Sequence, residues 1–283
     1  MTPNTKRKVE TDRSLWIKLS NIKDRVLSSP CQKAIRDSQA EFRSILKDHY
    51  YCFPELVLEK TTTFHRIRKI NKKNPEISSA KDIWYPPKEM GLTGNRASTG
   101  DIRQLYMASD LRIATVESRI KKGDYFCSAT ISPSKQSRLR VASLGFDNIM
   151  DEHTTSPLHA EQARREWKEA KKFLSSKDFL KWSTIKIFVS QSFAHERSDS
   201  YKWTNFISSI YLDDDVEAII YPSFHVPFYD AFNIAVRADK ADEFLKIVEM
   251  RLFEFADDLI IQRHTFPQID HDTFRPPYSE HVY

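Results

Sequence analysis

Glycine is the residue that most limits what this chain can fold into. The sequence contains only 5 glycines among 283 residues, and all lie between Gly91 and Gly145. They never form GxGxxG, nor GxxxxGK followed by Ser or Thr. A Rossmann turn and a Walker loop both need glycine where the backbone closes on phosphate. Both are excluded. A nucleotide bound here must have its phosphates gripped by side chains, chiefly arginine, whose planar fork matches phosphate oxygens.

The most informative stretch runs from Leu105 to Ile120. Leu105 to Ala108 is apolar and aromatic, as a buried strand would be. Asp110 stands where a helix N-cap belongs, able to accept from the free N–H groups of a first turn. Lys121, Lys122 and Gly123 supply cations and a left-handed cap for a helix end. Within that helix Glu117 shares a face with Ile113, Ala114 and Ile120. A carboxylate in an apolar stripe is costly unless partnered. Glu117 is therefore either paired inside the fold or chemically active.

The composition, 40% hydrophobic and 29% charged, is that of an ordinary globular protein. No apolar run approaches the roughly 20 residues of a membrane span, and Met1 to Arg13 lacks the apolar core of a signal peptide. No membrane association and a cytoplasmic location are expected. Cys31, Cys52 and Cys127 form no CxxC pair, so neither a zinc site nor a disulfide framework is indicated, and no metal is expected. The 44 Lys+Arg against 39 Asp+Glu leave a net charge of +5, too small an excess to argue for direct nucleic-acid binding.

Taken in order, residues 1–13 read as a basic tail. Two helices then run to about Lys60, forming an N-terminal cap over residues 1–60. Residues 61–68 read as a strand, with Phe64, Arg66 and Arg68 on one face and His65 and Ile67 on the other. Residues 71–100 form a long loop. Strands are expected at 125–131 and 139–144, and helices at 156–173, 185–193 and 201–211. Two further strands, 217–223 and 233–236, precede a helix over 241–259, whose Phe244, Leu245, Val248, Leu252 and Phe255 share a side. Strands, then helices, then strands, without βαβ alternation, give an α+β fold rather than a doubly wound sheet.

Several pieces together resemble the RES domain family, named for its Arg, Glu and Ser. Phe64-His65-Arg66 resembles its aromatic-Arg opening. Asn95-Arg96-Ala97-Ser98 before Gly100 resembles its Gly-Arg-aromatic-Ser segment, with Asn95 in place of glycine and Ala97 in place of the aromatic. Leu105-Tyr106-Met107-Ala108 with Ala114 and Glu117 resembles its central element. Tyr221-Pro222-Ser223 and Asn233-Ile234-Ala235 resemble its later strands. The resemblance covers about 61–240, read as a catalytic core, with 241–283 as a C-terminal helix and tail packing on it.

The resemblance implies an ADP-ribosyltransferase-like fold, a mixed and largely antiparallel β core flanked by helices. It implies NAD+ as substrate, cleaved at the nicotinamide–ribose bond with inorganic phosphate or water as acceptor. It implies a toxin paired with a helix-turn-helix antitoxin, and self-association is left open. The implied catalytic residues are Arg66, Tyr106, Glu117 and Ser223, with His65, Arg96 and Asn233 binding NAD+. Two competing readings are a protein ADP-ribosyltransferase on the same fold and a non-catalytic module that binds nucleic acid or protein.

Overall fold

The computed structural model describes residues 11–47, 55–70, 80–85, 103–145, 159–195, 201–213, 216–223, 231–256 and 259–265. Two helices open the chain, α1 (Arg13–Ser28) and α2 (Gln32–Lys47). Strands β1 (Glu55–Leu58), β2 (Phe64–Ile70) and β3 (Gln104–Ala108) follow, and then the short helix α3 (Leu111–Glu117). Next come β4 (Tyr125–Pro133) and β5 (Ser137–Ser143), then the helices α4 (His159–Phe173), α5 (Ser176–His195) and α6 (Tyr201–Asp213). The chain returns to the sheet with β6 (Ala218–Pro222), β7 (Phe232–Arg237), α7 (Ala238–Phe244), β8 (Leu245–Ala256) and β9 (Leu259–Thr265). Among the described residues, no helix is long and apolar enough to cross a membrane.

The strands form one nine-stranded sheet in the order β1-β5-β6-β7-β3-β2-β4-β8-β9. Only β5 and β6 run parallel; the other neighbours are antiparallel. This is the α+β architecture expected from the order of elements. Side chains alternate across the pleat, so each strand serves two cores. Leu105, Met107, Ile220, Ile234 and Val236 meet Phe64, Cys127, Ala129, Met250 and Leu252 in one core. On the opposite face, Ile219, Tyr221 and Ala235 pack against α1, α2, α5 and α6 through Leu19, Phe42, Ile185, Trp203 and Ile207. Helix α3 covers the far side of β2, where Ile113 and Ala114 pack with Ile67.

The expected helix over 241–259 is not formed. Only α7 is helical, and Leu245–Ala256 is a strand between β4 and β9. The helix-like spacing comes from a β-bulge. Ile131 pairs with Ile247 while Thr130 pairs with Glu249, so Val248 is the extra residue and stands 47% exposed. Leu245 and Ile247 point inward before the bulge, and Met250 and Leu252 after it. That change of phase breaks strict alternation and leaves apolar residues at spacings that mimic a helix.

Helix α3 also ends sooner than Lys121-Lys122-Gly123 would place it. Its last residue is Glu117, and Ser118 is the C-cap. The expected N-cap is in place: Ile113 N–H donates to Asp110 Oδ1 at 3.0 Å. Because α3 is short and carries Glu117 at its end, that single cap matters to its orientation. Asp110→Ala is expected to lower the unfolding free energy by about 1 kcal/mol, read from urea denaturation. An unchanged midpoint would show that Asp110 does not hold the helix start.

Candidate active site

Strands β2 and β3 meet through one register pair, His65 with Ala108. By contrast β2 pairs with β4 along its whole length, from Phe64 to Ile70. Beyond their single pair, β2 and β3 make no ladder, and Arg66 takes its place. Its Nε donates to the Ile83 carbonyl at 2.7 Å and its Nη1 to the Tyr106 carbonyl at 2.9 Å. Backbone carbonyls left without a strand partner need such donors. Burial pulls the Arg66 pKa down to about 10, so the side chain is still a cation at neutral pH. Arg68, on the same face, donates to the Asp82 carbonyl.

The junction creates a row of side chains on the other face. His65 pairs with Ala108, Ala108 with Asn233, and Asn233 with Tyr221, across β2, β3, β7 and β6. Residues directly opposite in an antiparallel pair project to the same side. The row forms the floor of a cavity of about 510 Å³. Its walls are Tyr106 from β3, Ala114, Glu117, Ser118 and Arg119 around the end of α3, and Tyr201 at the start of α6. This size falls in the roughly 300–1,000 Å³ typical of small-molecule sites.

Glu117 faces this cavity half-buried, and its partners come from β7 and from the residue that follows β6. Ser223 Oγ donates to Glu117 Oε1 at 2.6 Å, and Asn233 Nδ2 donates to the same oxygen at 3.1 Å. Ser223 and Asn233 are both buried, at 4% and 6% exposure, so the two donors are held in place by packing. Among the described residues, Oε2 receives no hydrogen bond. The carboxylate in the apolar stripe thus has its partners on the sheet. Arg119 and Lys121, the cations that follow it in sequence, form no ion pair with it.

Tyr106 lines the cavity while its hydroxyl donates to Gln104 Oε1 at 2.7 Å. His65 also lines it, with its Nδ1 buried and, among the described residues, without a hydrogen-bond partner. Burial lowers the His65 pKa, so the ring is neutral at physiological pH. Of the residues expected in the site, His65, Arg66, Tyr106, Glu117 and Asn233 line the cavity, and Ser223 joins it by bonding Glu117. Arg96 lies outside the described residues. Arg119, Tyr201 and Tyr221 also line the cavity, and the sequence assigned none of them a role in the site. The one available signal was the Tyr221-Pro222-Ser223 piece, to which Tyr221 belongs.

Among the described residues, no three His, Cys, Asp or Glu side chains cluster to hold a metal ion. What the cavity offers is a fixed carboxylate, cations at its edge and aromatic walls. Those features suit an anionic ligand with flat rings and a centre that becomes positive.

Fold and site together define an α+β protein whose cavity is built around one carboxylate. The RES domain matches residues 63–258, well over half of the chain, and the protein belongs to that family. The match runs from β2 through β8. No curated protein matches the sequence. Among solved structures, the chain is similar to one in the crystal structure of the M. tuberculosis MbcT–MbcA toxin–antitoxin complex. That pair is 11% identical, with 75% of this chain and 87% of that chain covered and a TM-score of 0.33. The likeness is too distant for any residue to be carried across.

Proposed function

We propose that this protein is an NAD+-degrading enzyme that cleaves the nicotinamide–ribose bond and acts as a toxin. The observation that carries this reading is Glu117, a carboxylate facing the cavity and fixed by Ser223 and Asn233.

In NAD+ the nicotinamide is bonded through a cationic ring nitrogen. It leaves as a neutral base, taking the bond's electron pair, so no general acid is required. Ordinary glycosides differ, since a carboxylic acid must protonate their leaving oxygen. One carboxylate therefore suffices. Glu117 stabilises the positive charge that develops on the ribose, and preorganisation lets it do so without rearranging first. Ser223 and Asn233 act through Glu117 as positioning residues. Arg66 holds β2 against the Tyr106 carbonyl and so fixes the cavity wall. Tyr106, Tyr201 and Tyr221 offer aromatic faces for the nicotinamide or adenine ring. An acceptor oxygen then bonds to the ribose carbon that nicotinamide has left: phosphate bonds as its anion, and water releases a proton to solvent as it bonds.

Phosphorolysis would yield an ADP-ribose phosphate ester, and hydrolysis would yield ADP-ribose. Product analysis after incubation with NAD+, with and without inorganic phosphate, tests the reading. Phosphate-dependent formation of the ester would assign phosphorolysis. Free ADP-ribose in both mixtures would assign hydrolysis. Label from NAD+ retained on a protein would instead assign ADP-ribosyl transfer. Intact NAD+ in every mixture would remove the proposal. A toxin of this kind needs an inhibitor in its own cell, and we take a helix-turn-helix antitoxin as the partner to be sought in the neighbouring reading frame.

A further inference from the structure

We infer that Arg119 is the residue that grips the diphosphate of the dinucleotide. This rests on the reading of the cavity as an NAD+ site. Three observations support it.

The first is backbone conformation. Arg119 has φ +53°, and among the described residues no other non-glycine has positive φ. It sits where a helix end commonly places glycine. Arg119 N–H donates to the Val116 carbonyl at 3.0 Å, and Ile120 N–H reaches the Thr115 carbonyl at 3.2 Å. These are the two bonds of a Schellman cap, with Arg119 at its left-handed position. A glycine there would adopt this φ without strain. The chain instead keeps a long cationic side chain, two residues after Glu117. Strain of this kind gathers at functional sites.

The second is availability. Arg119 is exposed and lines the cavity. Among the described residues, its guanidinium has no ion pair and no hydrogen bond. The other arginine lining the cavity, Arg66, donates to two backbone carbonyls. Its Nε and Nη1 are engaged in structure, so Arg119 is the cavity arginine whose whole fork is open to a ligand among the described residues.

The third is chemistry. The chain carries neither the GxGxxG nor the GxxxxGK motif through which dinucleotide and P-loop folds cradle phosphates with backbone N–H groups. A forked guanidinium at the cavity edge supplies the charge-assisted bonds that a diphosphate requires.

Arg119→Gly separates the two roles, because it relieves the backbone while removing the cation. Its melting temperature is expected to equal or exceed that of the wild type. Its KM for NAD+ should rise about 10- to 100-fold with little change in kcat, as loss of charge-assisted bonds predicts. Calorimetry with ADP-ribose and with inorganic pyrophosphate should show the same weakening, with Arg119→Lys intermediate. Unchanged KM and unchanged pyrophosphate binding in Arg119→Gly would overturn the assignment, as would a wild type that binds neither probe. A wild type that binds pyrophosphate through Arg119 but leaves NAD+ intact would sink the catalytic reading and keep the diphosphate site.

Discussion

Glu117→Gln is expected to lower kcat for NAD+ cleavage by at least about 100-fold while the protein stays folded. The size follows from losing one preorganised charge against a developing positive centre, an effect of roughly 100- to 1,000-fold when a single such group is removed. The fold should survive because the change is almost isosteric. A glutamine at this position keeps an amide oxygen that can accept from Ser223 Oγ and Asn233 Nδ2, as Oε1 does now. Melting temperature and kcat at saturating NAD+ are the two readings needed. A variant with wild-type kcat and a wild-type melting temperature would take Glu117 out of the mechanism. A variant that unfolds would point to Glu117 as a structural partner of the two strands. In that case Ser223→Ala, which leaves the carboxylate in place, becomes the informative change. It should lower kcat by a smaller factor than the loss of the carboxylate itself.

The largest loss of stability is expected from Trp203→Ala, about 3–5 kcal/mol in urea denaturation. Trp203 is fully buried on α6. It stacks on Phe206 with ring centres 5.0 Å apart, and it meets Phe42 edge-on at 6.0 Å and Phe188 at 6.2 Å. Its indole Nε1 donates to Ser192 Oγ at 2.7 Å. Truncation therefore opens a cavity between three helices and removes a buried hydrogen bond. Phe42 belongs to α2, so the same substitution loosens the N-terminal helices from the core. Trp203→Phe should recover much of the loss, because it keeps an aromatic ring in the site and gives up the indole donor and the volume of the second ring. A loss below about 1 kcal/mol for Trp203→Ala would mean that the helical layer collapses around the gap. The N-terminal helices would then contribute little through this contact.

How far the sequence could be read depended on distance along the chain. The unit from β3 to α3 was legible because its signals are local. Leu105 to Ala108 is apolar, Asp110 caps the helix after it, and Glu117 breaks an apolar stripe. The end of α3 was not legible, since a left-handed arginine at position 119 is something no propensity anticipates. The last strands were lost for a related reason. One bulge at Val248 shifts the alternation of β8, and the pattern then resembles a helix. The contacts that make the site were beyond local reasoning altogether. Ser223 and Asn233 lie 106 and 116 residues from Glu117, and only the order of family-like pieces suggested that they meet. Even then, the resemblance named Ser223 without naming its partner, and its hydroxyl is donated to Glu117. For Arg66, implied as catalytic, no local signal showed that two of its donors hold the strand junction together.

The central claim is that the Glu117 cavity cleaves NAD+ at the nicotinamide–ribose bond. Nicotinamide release by the purified, folded full chain, measured with NAD+ in phosphate buffer and in a phosphate-free buffer, tests it most directly. The account predicts stoichiometric nicotinamide in at least one of the two. No nicotinamide in either, from protein with a cooperative melting transition, would contradict it.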